Sequence, residues 1–170
     1  MSYDFSRVIT LVVETTPEMY RLLRDVLVIL GASEANIYSA YSCEEAFDEF
    51  CLKRPDLVIT DWLASPDKGI ELTKLIRTNK KSFNHFTPII MTAGSSHYSR
   101  VIKSRDAGVN EYLVKPFSAQ ELARRIARVI EKPRPYVISP SYTGPDRRVR
   151  AVSFEGEDRR KETQKVEMVG

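Results

Sequence analysis

Three charged side chains stand at the ends of apolar runs: Glu14 after "RVITLVV", Asp61 after "DLVIT" and Lys115 at the end of "EYLVK". If those runs are strands of one sheet, two carboxylates and an ammonium can converge. These are the parts for holding a divalent cation and handling a phosphoryl group. A carboxylate is a weak nucleophile toward phosphorus until a metal and a lysine offset the negative charge of the incoming group. The junction "LVVETTPEM" also has a plainer reading as a helix start. Glu14 suits the positive end of a helix dipole and Pro17 suits an early helical position, and the two roles are compatible.

The elements that must position these residues follow from periodicity. "RVITLVV" reads as a strand, and Met19, Leu22, Leu23, Val26, Leu27 and Leu30 then recur at helical spacing up to Gly31. "NIYSAY" reads as a second strand, and Ser42 opens a helix with a glutamate at capping-box spacing. "DLVIT" is continuously apolar, as strands buried on both faces are. A helix "IELTKLIRTN", a strand "TPIIMT", a helix "YSRVIKSRDAG", a strand "EYLVK" and a helix "SAQELARRIARVIEK" complete the series. Five β/α units result. They predict an α/β fold, a flavodoxin-like (βα)5 three-layer sandwich around a five-stranded parallel sheet, with functional groups at the strand C-termini near a switch in strand order.

The chain of 170 residues suits one domain with an appendage, and 26 basic against 23 acidic residues leave only +3, too mild to indicate nucleic-acid binding. Cys43 and Cys51 lie close together with no further ligand at metal spacing, which points to reduced thiols. The start lacks a secretory pattern and no apolar run approaches membrane-span length, so a cytoplasmic protein is expected. After Lys132 the prolines and the loss of period predict an extended or disordered tail over residues 133–170. Within it "YTGPDRR" and "FEGEDRR" repeat an aromatic-x-Gly-x-Asp-Arg-Arg pattern. The Arg pairs at 147/148 and 159/160 could dock on an acidic partner, on phosphate or on the chain's own domain, against the plain reading of a solvated tail. The segment "PRPYVISPSY" is the more apolar part, suited to lying along the domain or a partner.

Over residues 5–132 the chain resembles the receiver domains of two-component response regulators. The resemblance rests on Asp61 at the end of "DLVITDW", Gly69 closing "DWLASPDKG", the "DAG" before the last strand, Tyr112 and "KPF" at 115–117. It extends to stand-alone alphaproteobacterial receivers with repeated Gly-x-Asp/Glu-Arg-Arg tails. It implies that Asp61 accepts a phosphoryl group from a histidine kinase or phosphotransfer protein with Mg2+ assistance. It also implies that Lys115 contacts the phosphoryl oxygens, and that Glu14, Asp61 and the Leu63 backbone carbonyl hold the metal. A cis Lys115–Pro116 bond is implied too, whereas base rates for X-Pro bonds favour trans.

Two positions depart from the family pattern. Thr15 stands where a second metal-binding acid is usual, and a neutral hydroxyl is a poor Mg2+ ligand beside a carboxylate. Ungapped counting from Pro88 or from Gly108 places Ala93, not Thr92, at the switch position whose hydroxyl bonds the phosphoryl group. Thr92 could serve only through a bulge, because neighbouring strand residues face opposite ways. Tyr112 is then either a half-buried core aromatic or the switch aromatic. Trp62 is expected to be a surface or loop aromatic, and His85 and His97 carry no assigned role.

Three functions fit this pattern unequally. One is a single-domain phosphorelay receiver without enzymatic turnover beyond self-phosphorylation and autodephosphorylation. Its output would pass to a downstream protein, or to a homodimer through the fourth helix, fifth strand and fifth helix. Another is a pseudo-receiver adaptor that binds partners without phosphorylation, favoured by Thr15 and Ala93. A flavodoxin-like flavin or nucleotide binder lacks the phosphate loop it would need after the first strand.

Overall fold

The structure, a computed structural model, describes residues 4–63 and 67–147 and the backbone of residues 164–166. Strands β1 (Thr10–Val13), β2 (Ile37–Ala40), β3 (Leu57–Asp61), β4 (Ile89–Ala93) and β5 (Glu111–Val114) alternate with helices α1 (Pro17–Ile29), α2 (Cys43–Lys53), α3 (Lys68–Thr78), α4 (Tyr98–Ala107) and α5 (Ala119–Glu131). The strands are parallel in the order β2-β1-β3-β4-β5. This is the expected flavodoxin-like arrangement. The order reverses between β1 and β3, so Glu14 and Asp61 emerge on either side of the switch point.

Each face of the sheet is covered by apolar helix stripes. Leu11, Val13, Val58, Ile89 and Met91 pack with Phe50, Leu72 and Ile76 on one side. Val12, Leu57, Ile59, Ile90 and Leu113 pack with Leu23, Leu27, Leu122 and Ile126 on the other. This double coverage explains why the central strands read as unbroken apolar runs rather than as alternation. The caps form as their spacing predicts: Ser42 accepts from the Glu45 amide at 3.1 Å, and Ser118 with Glu121 closes a full capping box on α5. Cys43 and Cys51 are both free thiols.

The sequence predicts an extended or disordered tail from residue 133, and the structure corrects this. Strands β6 (Tyr136–Ser139) and β7 (Tyr142–Pro145) form an antiparallel hairpin, and β8 (Gln164–Val166) adds to the other edge of β6. The cause is a long-range contact. Arg77 on α3 is buried, and its guanidinium donates to the carbonyls of Gly108 (3.1 and 2.9 Å), His85 (2.9 Å) and Thr87 (2.8 Å) and to Asn110 Oδ1 (3.0 Å). Tyr136, 1% exposed, lays its ring over that cation at 5.4 Å and accepts from Asn110 Nδ2 at 2.9 Å. A hairpin that would be marginal alone is therefore stapled to the domain by an aromatic lid.

The first tail motif supplies the rest of the joint. Tyr142 Oη donates to the Pro145 carbonyl at 2.7 Å, and Arg147 reaches Asp106 at 2.8 Å while its guanidinium lies 4.3 Å over the Tyr142 ring. Gly108 closes α4 at φ +101°, and a Cβ there would lie 2.8 Å from the Thr143 carbonyl oxygen. Of the two expected Arg pairs, Arg147 thus docks on the chain's own domain. Arg148 and the second motif, 154–160, lie outside the described residues.

Candidate functional site

The junction after β1 is built around a buried carboxylate. Glu14 is 1% exposed. Its Oε1 accepts from the Thr16 amide at 2.9 Å, the helix-start role, and its Oε2 accepts from Lys115 Nζ at 2.7 Å. Asp61 ends β3 with its side chain 19% exposed, and its Oδ1 accepts from the same ammonium at 2.9 Å. The structure therefore brings together the three residues that the strand ends pointed to. Lys115 is anchored through its amide, which donates to the Ala93 carbonyl at 2.8 Å, and the Lys115–Pro116 bond is cis, as the resemblance implied.

Burial alone would lower the pKa of Lys115, but its hydrogen bonds to Glu14 and Asp61 more than offset this and hold it above the ordinary lysine value. The ammonium is thus a fixed charge between two carboxylates. The loop after Asp61 is drawn tight, with Asp61 Oδ2 accepting from the Leu63 amide at 3.3 Å and Leu63 in the left-handed region at φ +52°. Gly69 is required here, because a Cβ at that position would lie 2.4 Å from the Asp61 carbonyl oxygen.

Metal capacity follows from this donor set. No group of three His, Cys, Asp or Glu side chains able to hold a metal occurs among the described residues. Thr15 is exposed and brings no charge. Mg2+ usually takes one or two carboxylates and completes its shell with water and phosphate oxygens. Glu14 and Asp61 fit that lean requirement, with Lys115 competing for one oxygen of each. Thr15→Asp is accordingly expected to tighten Mg2+ binding about tenfold, since a carboxylate is the preferred hard ligand and one such step is roughly 1.4 kcal/mol. A Trp62 fluorescence titration with unchanged affinity would contradict this placement of residue 15.

The register around residues 92 and 93 is continuous. β4 pairs without interruption from Val58↔Ile89 to Asp61↔Thr92 on one side and from Ile90↔Glu111 to Ala93↔Val114 on the other. The strand has no bulge to reassign Thr92. Its hydroxyl is buried without a hydrogen-bond partner among the described residues, and Ala93 at the strand end packs into the cluster of Met91, Trp62 and Leu63. Tyr112 is half-buried, with its hydroxyl donating to the Ser95 carbonyl at 2.6 Å and its ring edge-on to Trp62 at 6.4 Å. Trp62 lies in the loop after β3, one of the two places expected for it, and is buried there at 6% exposure. Its Nε1 donates to Asp67 Oδ1 at 3.1 Å, Arg100 stacks over it at 5.1 Å, and Asp67 pairs with Lys103 of α4. The spacing of Asp67, Arg100 and Lys103 carries no signal for this bridge, which only the packing of α4 against the β3–α3 loop creates.

Comparison with known proteins places these observations in context. The family described as the response regulator receiver domain matches residues 10–127. The chain is 35% identical over 122 residues to a chemotaxis protein CheY homolog of Campylobacter jejuni, covering 71% of this chain and 90% of that one. It is 33% identical over 120 residues to the sensor histidine kinase TmoS of Ectopseudomonas mendocina, covering 71% of this chain and 12% of the kinase. Among solved structures, a putative response regulator from Chloroflexus aurantiacus superposes with TM-score 0.65 at 30% identity, covering 74% of this chain and 98% of that one.

Proposed function

The chain belongs to the response regulator receiver domain family, and on that footing we propose that it is a phosphorelay receiver whose Asp61 is the phosphoacceptor. The observation that carries this reading is the 2.9 Å contact between Lys115 Nζ and Asp61 Oδ1 in a half-open position. In the proposed step an Asp61 carboxylate oxygen forms the bond to phosphorus, and the bond from phosphorus to the donor's histidine nitrogen breaks. Lys115 meets the charge arriving with the phosphoryl oxygens. Glu14, Asp61 and the Leu63 carbonyl would hold Mg2+, which supplies further charge neutralisation when bound.

The donor in this reading is a histidine kinase or phosphotransfer protein, supported by the likeness to a segment within a sensor kinase. The receiver has no turnover beyond self-phosphorylation from a small phosphodonor and autodephosphorylation. It works in the cytoplasm, and its output is protein contact, with a downstream target or with a second copy through α4, β5 and α5. No helix among the described residues is long and apolar enough to cross a membrane.

A second reading, an adaptor that binds without phosphorylation, is favoured by one specific observation. Tyr112 is already tied to the Ser95 carbonyl while Ala93 offers no hydroxyl, so a phosphoryl group gains little differential contact with the switch. Labelling with radioactive acetyl phosphate at millimolar Mg2+ separates the two. The phosphoacceptor reading expects label on the unsubstituted chain and none on Asp61→Asn; an unlabelled chain would leave the adaptor reading standing.

A further inference from the structure

In the first turn of α4, Arg100 lays its guanidinium 5.1 Å over the ring of Trp62, the residue directly after Asp61. It forms no ion pair among the described residues; Asp67, which feels its charge, is held by Lys103 of the same helix. We propose that Arg100 is the phosphoryl-sensing residue of α4: when Asp61 carries a phosphoryl group, the guanidinium leaves the Trp62 ring and pairs with a phosphoryl oxygen. This rests on the phosphoacceptor reading of Asp61 and supplies the contact by which α4 distinguishes the two states.

Such a contact is needed because the switch position offers none. Ala93 has no hydroxyl, Thr92 faces the other way along a strand without a bulge, and Tyr112 is tied to the Ser95 carbonyl at 2.6 Å. An equilibrium moves only by the difference in binding between its states. A replacement for the hydroxyl must therefore be a donor, stand beside the acceptor and be free to change partners. Lys115 is committed to Glu14 and Asp61, Lys68 to Glu44 and Glu71, and Lys103 to Asp67. Arg100 has no carboxylate to give up.

Its position follows from the packing around Trp62. That side chain is 6% exposed, its Nε1 donates to Asp67 at 3.1 Å, and the Asp67–Lys103 pair fastens α4 to the β3–α3 loop. Arg100 lies one helical turn before Lys103 and is thereby held over a ring whose backbone adjoins Asp61. The Tyr112 phenol senses both groups. Burial raises its pKa above the ordinary value, the Arg100 charge opposes that rise and the Asp61 charge adds to it. A cation on the face of an aromatic ring is held weakly, whereas a guanidinium–phosphoryl pair is charge-assisted and can be bidentate. The exchange of partners favours the phosphorylated state, and it pulls on the first turn of α4 without a hydroxyl at residue 93.

The test uses the full chain at millimolar Mg2+ with beryllofluoride as the phosphoryl mimic, its affinity read by calorimetry and the environment of Trp62 by fluorescence. Arg100 is exposed, so its substitution leaves the core intact. Arg100→Ala should bind beryllofluoride about tenfold more weakly than the unsubstituted chain and lose the fluorescence change on binding. Arg100→Lys, which keeps the charge, should recover part of the affinity. Adding Ala93→Ser to Arg100→Ala should recover it too, because a hydroxyl then supplies the missing donor. Acetyl phosphate labelling, run in parallel, separates this inference from the reading beneath it. If the unsubstituted chain is labelled and Arg100→Ala matches it in beryllofluoride affinity and fluorescence response, the role of Arg100 is overturned and Asp61 stands as acceptor. An unsubstituted chain that takes neither label nor beryllofluoride overturns both.

Discussion

Arg77→Met is expected to lower the free energy of unfolding by about 3–5 kcal/mol, a large share of the roughly 5–15 kcal/mol that holds a domain of this size together. Methionine fills much of the volume but carries no donors. The Gly108, His85 and Thr87 carbonyls and Asn110 Oδ1 all lose the guanidinium, and Asn110 Oδ1 keeps the amide of Ile89 and the hydroxyl of Tyr136. Each buried acceptor left without a donor costs on the order of 1–3 kcal/mol, which sets the size of the effect. Tyr136→Phe keeps the ring over the cation and removes only the hydroxyl, so a smaller loss of about 1 kcal/mol is expected. Urea denaturation of both single variants and the double variant measures the coupling. A change below about 1 kcal/mol for Arg77→Met would mean that this staple does not hold hairpin to domain.

Lys115→Met has the second large effect, because two carboxylates depend on one ammonium. Glu14 is 1% exposed and has Lys115 as its ion partner, so removing that partner leaves a buried charge uncompensated. Breaking such a pair typically costs about 3–5 kcal/mol, and partial exposure of Lys115 and Asp61 reduces the expectation here to about 2–4 kcal/mol. The pH dependence has a definite sign. The folded-state pKa of Lys115 is raised above its ordinary value near 10.5, so its contribution is complete below that value and is lost as pH rises through the higher folded pKa. The stability difference between the two chains should therefore be constant from neutral pH to about 9 and shrink only at stronger alkalinity. Acetyl phosphate labelling of Lys115→Met should also fail, as nothing then offsets the incoming charge beside Asp61. Full labelling with unchanged stability would remove Lys115 from the site.

The fold was largely legible because local patterns carry it. Runs such as "DLVIT" and "TPIIMT" read as strands, the first as one covered on both faces, and Ser42, Ser118 and Gly108 mark helix ends by chemistry that acts within a few residues. The opposite facing of Thr92 and Ala93 was also legible, because strand alternation converts a one-residue offset into a change of face. β4 runs through this region without a bulge, so the alternation holds across both residues. The burial of Trp62 within its loop was not legible, for the opposite reason. Its burial depends on Arg100 and Asp67, which lie thirty-eight and five residues away and meet it only when α4 packs on the β3–α3 loop.

By itself the sequence determined the five β/α units, the convergence of Glu14, Asp61 and Lys115, and the absence of an acid at residue 15 and of a hydroxyl at residue 93. Tertiary structure alone decided that Lys115 bridges both carboxylates, that Tyr112 is bonded to Ser95, and that the tail begins as a folded hairpin. Arg77 shows why. On an amphipathic helix an arginine near the C-terminal end reads as a solvated charge in favourable position for the helix dipole. It is buried because Tyr136, fifty-nine residues later, closes over it, and because carbonyls from two other segments turn inward to receive it. Periodicity reports which face of an element is apolar, whereas the partners of a buried charge are set by where distant backbone carbonyls meet.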